Sequence, residues 1–144
     1  MAEQTTSSIL IDAPADEVMA VIADFERYPE WVQGMKQVEI LESDAQGRGK
    51  LVHFDLDATP IKDSYTLDYD WSRPNALSWT LTEGKMLRAL NGTYTLAEQG
   101  DSTEVNYKLA VDVAIPMIGM LKRKAEKVII DTALKGLKKR VESR

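Results

Sequence analysis

The sequence predicts an α+β fold: a curved antiparallel sheet of six to seven strands around a long C-terminal helix, with two short helices after the first strand. Three observations carry this. Hydrophobic residues recur with a period close to two from Lys36 to Val113; after Pro116 the period becomes helical and holds to about Val141; and prolines and carboxylates punctuate two short helical stretches between Ala13 and Trp31. The 144 residues suit one domain over 1–144, because two independent cores would each be too small to bury enough apolar surface. Hydrophobic residues at 44% and charged residues at 28% place the chain among sequences that fold rather than stay disordered.

Ile9 and Ile11 alternate with Ser8 and Asp12, which gives the first strand. Ala13-Pro14-Ala15-Asp16-Glu17 then puts a proline and two carboxylates where a helix begins, and Val18, Ile22 and Phe25 follow at helical spacing. Pro29, in Tyr28-Pro29-Glu30-Trp31, stops that helix and opens a second short one. Turns at 44–49, 58–62, 72–75, 83–85 and 100–102 divide the next stretch into five or six strands. Links this short join antiparallel neighbours in a meander.

Alternation assigns a dry face. It carries Val38 and Ile40; Val52, Phe54 and Leu56; Tyr65, Leu67, Tyr69 and Trp71; Leu77, Trp79 and Leu81; Leu90, Tyr94 and Leu96; and Val105 to Val113 at every second residue. His53, Asp55, Thr66 and Asp68 fall on the wet face. In the long helix, Met117, Leu121, Ala125, Ile129, Ala133, Leu137 and Val141 stand four apart. Such a row drifts about 40° per step, so it cannot keep to one face of a straight helix. Either the helix bends, or its first half (Met117, Ile118, Leu121, Ala125, Val128) covers the sheet while Ile130, Leu134, Leu137 and Val141 pack on something else such as the short helices.

A strongly twisted sheet cannot stay in contact with a straight helix along its whole length, and a gap between them is expected. The helix offers small Ala125 and Ala133 to that gap and flexible Met117 and Met120 at its entrance. Tyr65, Tyr69, Tyr94, Tyr107 and Trp79 would line it with rings that carry polar tips. Each aromatic alone reads as core, and the set reads as a pocket.

The chemical inventory narrows the function. With no cysteine, disulfides, thiolate metal sites and cysteine nucleophiles are excluded, and the composition fits a reducing cytoplasm. The single histidine, His53, reads as an exposed strand residue, and Asp55, Asp57, Asp68 and Asp70 as solvated charges. There is no phosphate loop, no serine–histidine arrangement and no candidate metal site, and no residue set asks for a cofactor. Met1 to Ser8 lacks the pattern of an export signal, and no stretch is long enough to cross a bilayer. Nine Lys or Arg against three Asp or Glu in residues 117–144 leave an acidic body and a basic tail. That body disfavours nucleic acid, while the basic helix admits transient contact with an anionic membrane. Arg88, taken as sharing the strand face of Leu90 and Tyr94, is a candidate for entering the cavity, with snorkelling to solvent as its ordinary role.

The start Ile9-x-Ile11-x-Ala13-Pro14-x-x-x-Val18, followed by Asp24-Phe25-x-x-Tyr28-Pro29-x-Trp31, resembles the START-like helix-grip (SRPBCC) superfamily, and within it the polyketide cyclase/dehydrase and lipid-transport family. The later strands and the C-terminal helix come in the same order, so the resemblance covers nearly the whole chain. It implies a cavity between sheet and helix for a lipid, sterol, polyketide, quinone or hormone, with only some members being enzymes. The expectation is a binding or carrier protein with ligand contacts at Trp31, Phe54, Tyr65, Trp79, Arg88, Leu90, Tyr94, Met117, Met120 and Leu121. A polyketide aromatase/cyclase or dehydratase is the enzymatic alternative. A protein-interaction module stays open as well, because the coenzyme Q-binding and ribosome-association toxin branch shares the Tyr-Pro-x-Trp start. Ligand identity and oligomeric state are not legible.

Overall fold

Seven strands, β1 (Thr5–Ile11), β2 (Met35–Ser43), β3 (Gly49–Ala58), β4 (Ile61–Asp70), β5 (Ala76–Gly84), β6 (Leu87–Gln99) and β7 (Ser102–Val113), form one sheet. Its order is β1-β7-β6-β5-β4-β3-β2, so six consecutive strands make a meander and the first strand returns beside the last. Every pairing is antiparallel. The computed structural model describes residues 5–58, 61–114 and 119–143, and the side chains of these except Ala58, Ile61 and residues 119–122.

The expected turns fall between the strands, apart from residues 59 and 60, which lie outside the described residues. Register shifts interrupt β2 against β3, β4 against β5, and β6 against β7. Bulges of this kind bend a strand and raise its twist, and they curve this sheet into a trough. Val52, Phe54, Tyr65, Leu67, Tyr69, Leu77, Trp79, Leu90, Tyr94, Leu96, Val105, Tyr107, Leu109 and Val111 are all buried on the concave side.

The first helix, α1 (Ala15–Ala23), begins after Pro14, whose fixed, extended backbone sets the entry, with Asp16 and Glu17 in the first turn. A 3-10 helix follows over Phe25–Glu30 with Pro29 inside it. Sequence spacing had put Phe25 in the first helix and Pro29 at the start of the second. The break comes earlier, at Asp24, whose backbone leaves the helical region, and Pro29 fits the 3-10 helix because Tyr28 and Trp31 complete its turns. The Tyr28 hydroxyl donates to the Ile22 carbonyl, Phe25 packs edge-on to Tyr28 at 5.4 Å, and both anchor this segment to the core.

The long helix, α2 (Gly119–Glu142), packs on β1, β7 and α1. Its buried residues include Glu126, Ile130, Leu134, Leu137 and Val141, a row of steps four, four, three and four that stays on one side. Ala125, Ile129 and Ala133 form the adjacent row toward the trough. Val128, expected over the dry face, is 46% exposed instead, because the helix turns it to the rim. Met117 and Ile118 lie outside the described residues, as do the side chains of Met120 and Leu121.

Two buried carboxylates brace this frame. Pairing of β1 with β7 ends at Thr5↔Leu109. Just beyond, Glu126 accepts the Val111 N–H at 2.7 Å and the Thr5 hydroxyl at 2.6 Å, so one side chain of α2 satisfies the groups left at the end of the strand pair. Asp63 accepts the N–H groups of Ser64, Lys85, Met86 and Leu87 at 2.9 to 3.1 Å and fixes the β5–β6 turn.

Candidate functional site

An aromatic belt crosses the trough by strand register. Phe54 stands opposite Tyr65, Tyr69 opposite Trp79, Leu77 opposite Tyr94, and Tyr94 opposite Tyr107. Side chains directly opposite in an antiparallel pair share a face and touch. The rings meet accordingly: Phe54 and Tyr65 at 5.3 Å, Tyr69 and Trp79 at 5.9 Å, Trp79 and Tyr94 at 5.3 Å, and Tyr94 and Tyr107 at 4.6 Å. Opposite Trp79 stands Gly92. A Cβ there would lie 2.4 Å from Trp79 Cζ2 and 2.8 Å from the Lys108 carbonyl oxygen, so the indole packs directly against bare backbone.

Between this belt and α2 lies a cavity of about 120 Å3. Phe54, Tyr65, Tyr69, Trp79, Leu90, Tyr94 and Tyr107 form its floor, Ala125, Ile129 and Ala133 its roof, and Tyr28, Trp31, Val32, Gln33 and Met35 one side. Of the lining residues, Gln33 and Val128 are the exposed ones, so the mouth opens between the segment after the 3-10 helix and the outer edge of α2. That segment is held in place. Trp31 packs on Gly136, where a Cβ would meet the Trp31 carbonyl oxygen at 2.9 Å; Glu30 pairs with Arg140 at 2.9 Å; and Asp57 N–H donates to the Gly34 carbonyl at 2.8 Å.

The lining holds no Asp, Glu, Lys, Arg or His among the described residues. Its polar groups are chiefly tyrosine hydroxyls. Among the described residues, those of Tyr65, Tyr69, Tyr94 and Tyr107 have no protein partner, yet no side-chain polar atom sealed away from open space lacks one. The four hydroxyls therefore face the open space of the cavity. Burial raises the pKa of each well above the usual tyrosine value, alone for Tyr107, and with neighbouring tyrosines adding to the effect for Tyr65, Tyr69 and Tyr94 and Asp63 for Tyr65. They stay protonated and act as neutral donors and acceptors.

Of the residues singled out in the sequence, Trp31, Phe54, Tyr65, Trp79, Leu90 and Tyr94 come together around this space. Arg88 does not. A register shift between Leu87 and Ala89 inserts an extra residue, so Leu87 and Leu90 both point inward while Arg88 is exposed. Met117, Met120 and Leu121, together with the entrance expected near them, lie outside the described side chains. Sequence reasoning missed Tyr28, Val32, Gln33, Met35, Leu87 and Thr132 as lining. Only Tyr28 had a signal, standing three residues before Trp31 on one helical face.

His53 lies on the convex side, half-buried, with Nδ1 2.9 Å from the Thr66 hydroxyl. It does not line the cavity. Thr66, expected on the wet side, is buried, with its hydroxyl against His53. A second depression of about 650 Å3 runs along the strand ends past Lys36, Asp57, Lys62 and Lys85. It is an open furrow of balanced charge, whereas the aromatic cavity is more enclosed and apolar. Among the described residues no cluster of metal-ligating side chains occurs, and no helix is long and apolar enough to cross a membrane.

A family model described as polyketide cyclase/dehydrase and lipid transport matches residues 11–138. A search of the curated proteins returns no match. Among solved structures, a START superfamily protein from Mycobacterium smegmatis is similar over 97% of both chains, with a TM-score of 0.92 and 23% identity. The Zhui aromatase/cyclase from Streptomyces sp. R1128 superposes with a TM-score of 0.83 at 16% identity, covering 100% of this chain and 96% of that one. Protein TTHA0849 from Thermus thermophilus gives 0.82 at 21% identity over 98% of each. At these identities the likeness is one of fold.

Proposed function

The chain belongs to the polyketide cyclase/dehydrase and lipid transport family, and from that premise we propose that it binds and carries a hydrophobic small molecule in the cavity between the sheet and α2. The observation that carries this reading is the enclosed aromatic space of about 120 Å3, walled by Phe54, Tyr65, Trp79, Leu90 and Tyr94 and entered beside Gln33 and Val128. Apolar surface left facing such a void forfeits contacts that a close-packed interior would make. A ligand restores them, and Trp31, held on Gly136, closes over its edge. Where the ligand is delivered, and whether α2 touches an anionic membrane during transfer, belong to this same reading: Lys124 and Lys127 are exposed close to Val128 at the mouth.

Resemblance in fold to an aromatase/cyclase brings the enzymatic alternative, and the lining argues against it. Cyclisation of a poly-β-ketone needs a positioned base, and the described lining offers only tyrosines whose hydroxyls resist ionisation. The test is native mass spectrometry of freshly purified protein followed by organic extraction. Carriage requires a bound apolar molecule, released on denaturation. Bare protein that neither retains nor takes up any apolar compound would defeat the proposal.

A further inference from the structure

Four tyrosine hydroxyls open into one small space and none of them is bonded to a described residue. Tyr65, Tyr69, Tyr94 and Tyr107 are each more than nine-tenths buried, they line the cavity, and no hydrogen bond joins any of their hydroxyls to a described residue. A hydroxyl taken out of water without a partner costs about 1–3 kcal/mol, so four in one place mark a site whose partner is a ligand or ordered water. The indole N–H of Trp79, also lining the cavity, has no partner among the described residues either and adds a donor that cannot accept.

Size and charge narrow the partner further. Ligand pockets for drug-sized molecules run to about 300–1,000 Å3, and a dry engineered cavity of about 150 Å3 binds benzene. At about 120 Å3 the space between belt and helix takes one ring and not an acyl chain. No cationic side chain lines it among the described residues, so a carboxylate would enter without a counter-charge and bear the desolvation cost of a buried ion. A ketone or quinone oxygen accepts from tyrosine and tryptophan at no such cost.

Resting on the carrier reading above, we infer that the cavity selects a neutral single-ring compound bearing an oxygen acceptor, such as an aryl or cyclic ketone, over fatty acids, carboxylates and oxygen-free rings. Tyr65, Tyr69, Tyr94 and Tyr107 are then the residues that set specificity, and the apolar walls supply most of the affinity.

The experiment compares four probes by isothermal titration with the full chain: acetophenone, ethylbenzene of nearly the same shape without oxygen, benzoate of the same size with a charge, and palmitate. Acetophenone should bind about tenfold more tightly than ethylbenzene, in the range of one to two net hydrogen bonds, and benzoate and palmitate more weakly than either. The single variants Tyr65→Phe, Tyr69→Phe, Tyr94→Phe and Tyr107→Phe keep the rings. One or more of them should cut the acetophenone preference about threefold or more, with ethylbenzene unchanged and thermal unfolding confirming the fold. Equal binding of acetophenone and ethylbenzene, or a preference for palmitate or benzoate, would overturn the inference and leave carriage standing. Failure of all four probes, together with bare protein in the mass spectrum, would overturn both.

Discussion

Replacing Gly92 by alanine perturbs the cavity floor with one methyl group. The new Cβ would stand 2.4 Å from Trp79 Cζ2 and 2.8 Å from both Trp79 Cε2 and the Lys108 carbonyl oxygen. Carbon atoms pack at about 3.5–4.0 Å, so the indole must retreat by about 1 Å or more, and the cavity it lines offers the room. The Lys108 carbonyl cannot yield without parting β6 from β7, whose register runs unbroken from Ala89 to Gln99. Overpacking of this kind costs about 1–3 kcal/mol, and for a domain of this size each kcal/mol lowers Tm by about 2–4 °C. Thermal unfolding should therefore show a drop of about 2–12 °C, and any probe that binds the parent protein should bind Gly92→Ala less tightly. Adding Trp79→Phe removes the clashing indole carbons and leaves only the Lys108 carbonyl contact, so Gly92→Ala should cost less in that background than in the parent. A Tm unchanged by Gly92→Ala, or an equal penalty in both backgrounds, would refute the packing of Trp79 on Gly92.

Three further outcomes follow from the geometry. All five tyrosines of the chain have their pKa raised, first by burial. An ordinary tyrosine is about nine-tenths ionised at pH 11, so the native protein should show almost no phenolate absorbance there. Because the folded pKa values exceed the unfolded value, this stabilising contribution is complete below about pH 10 and falls above it by up to about 1.4 kcal/mol per tyrosine per pH unit; alkaline unfolding monitored at two wavelengths should show ionisation and unfolding together, and early ionisation with intact structure would contradict it. Glu126→Ala strips the acceptor from the Val111 N–H and the Thr5 hydroxyl. It should destabilise by about 2–4 kcal/mol and speed amide exchange at the β1–β7 end, whereas protection equal to the parent would remove the bracing role. Arg88→Ala should leave probe binding within about twofold, as expected for an exposed side chain outside the lining, and a larger loss would restore Arg88 to the site.

The alternation of β3 to β7 made most of the site legible, since strand period fixes faces wherever register is continuous. Phe54, Tyr65, Tyr69, Trp79 and Tyr94 share one side for that reason, and register alone brings them into contact. Legibility failed where register slips. The bulge between Leu87 and Ala89 leaves no mark in a stretch whose alternation looks unbroken, so Leu87 was missed and Arg88 misplaced. In α2, Glu126 stands four residues before Ile130, which stands four before Leu134. That spacing put a carboxylate on the buried row, but a Glu between Ala125 and Lys127 in a basic helix passes for a solvated charge. Gln33 and Met35 line the mouth because the chain after the 3-10 helix folds back over α2, a tertiary placement that neither period nor spacing records. Belonging to one family with a varied repertoire gives the fold and the place of the cavity, while the tyrosine hydroxyls and the small volume speak to the ligand.

The three tryptophans provide the most direct measurement of whether the space between sheet and helix accepts a guest. Trp79 and Trp31 line it, whereas Trp71 lies outside with its indole N–H bonded to the Gly49 carbonyl at 2.8 Å. In proton–nitrogen correlation spectra, titration with benzene should shift the indole signals of Trp79 and Trp31 in a saturable way and leave Trp71 in place. Signals that all stay fixed, or that drift together without saturation, would mean that no such room exists.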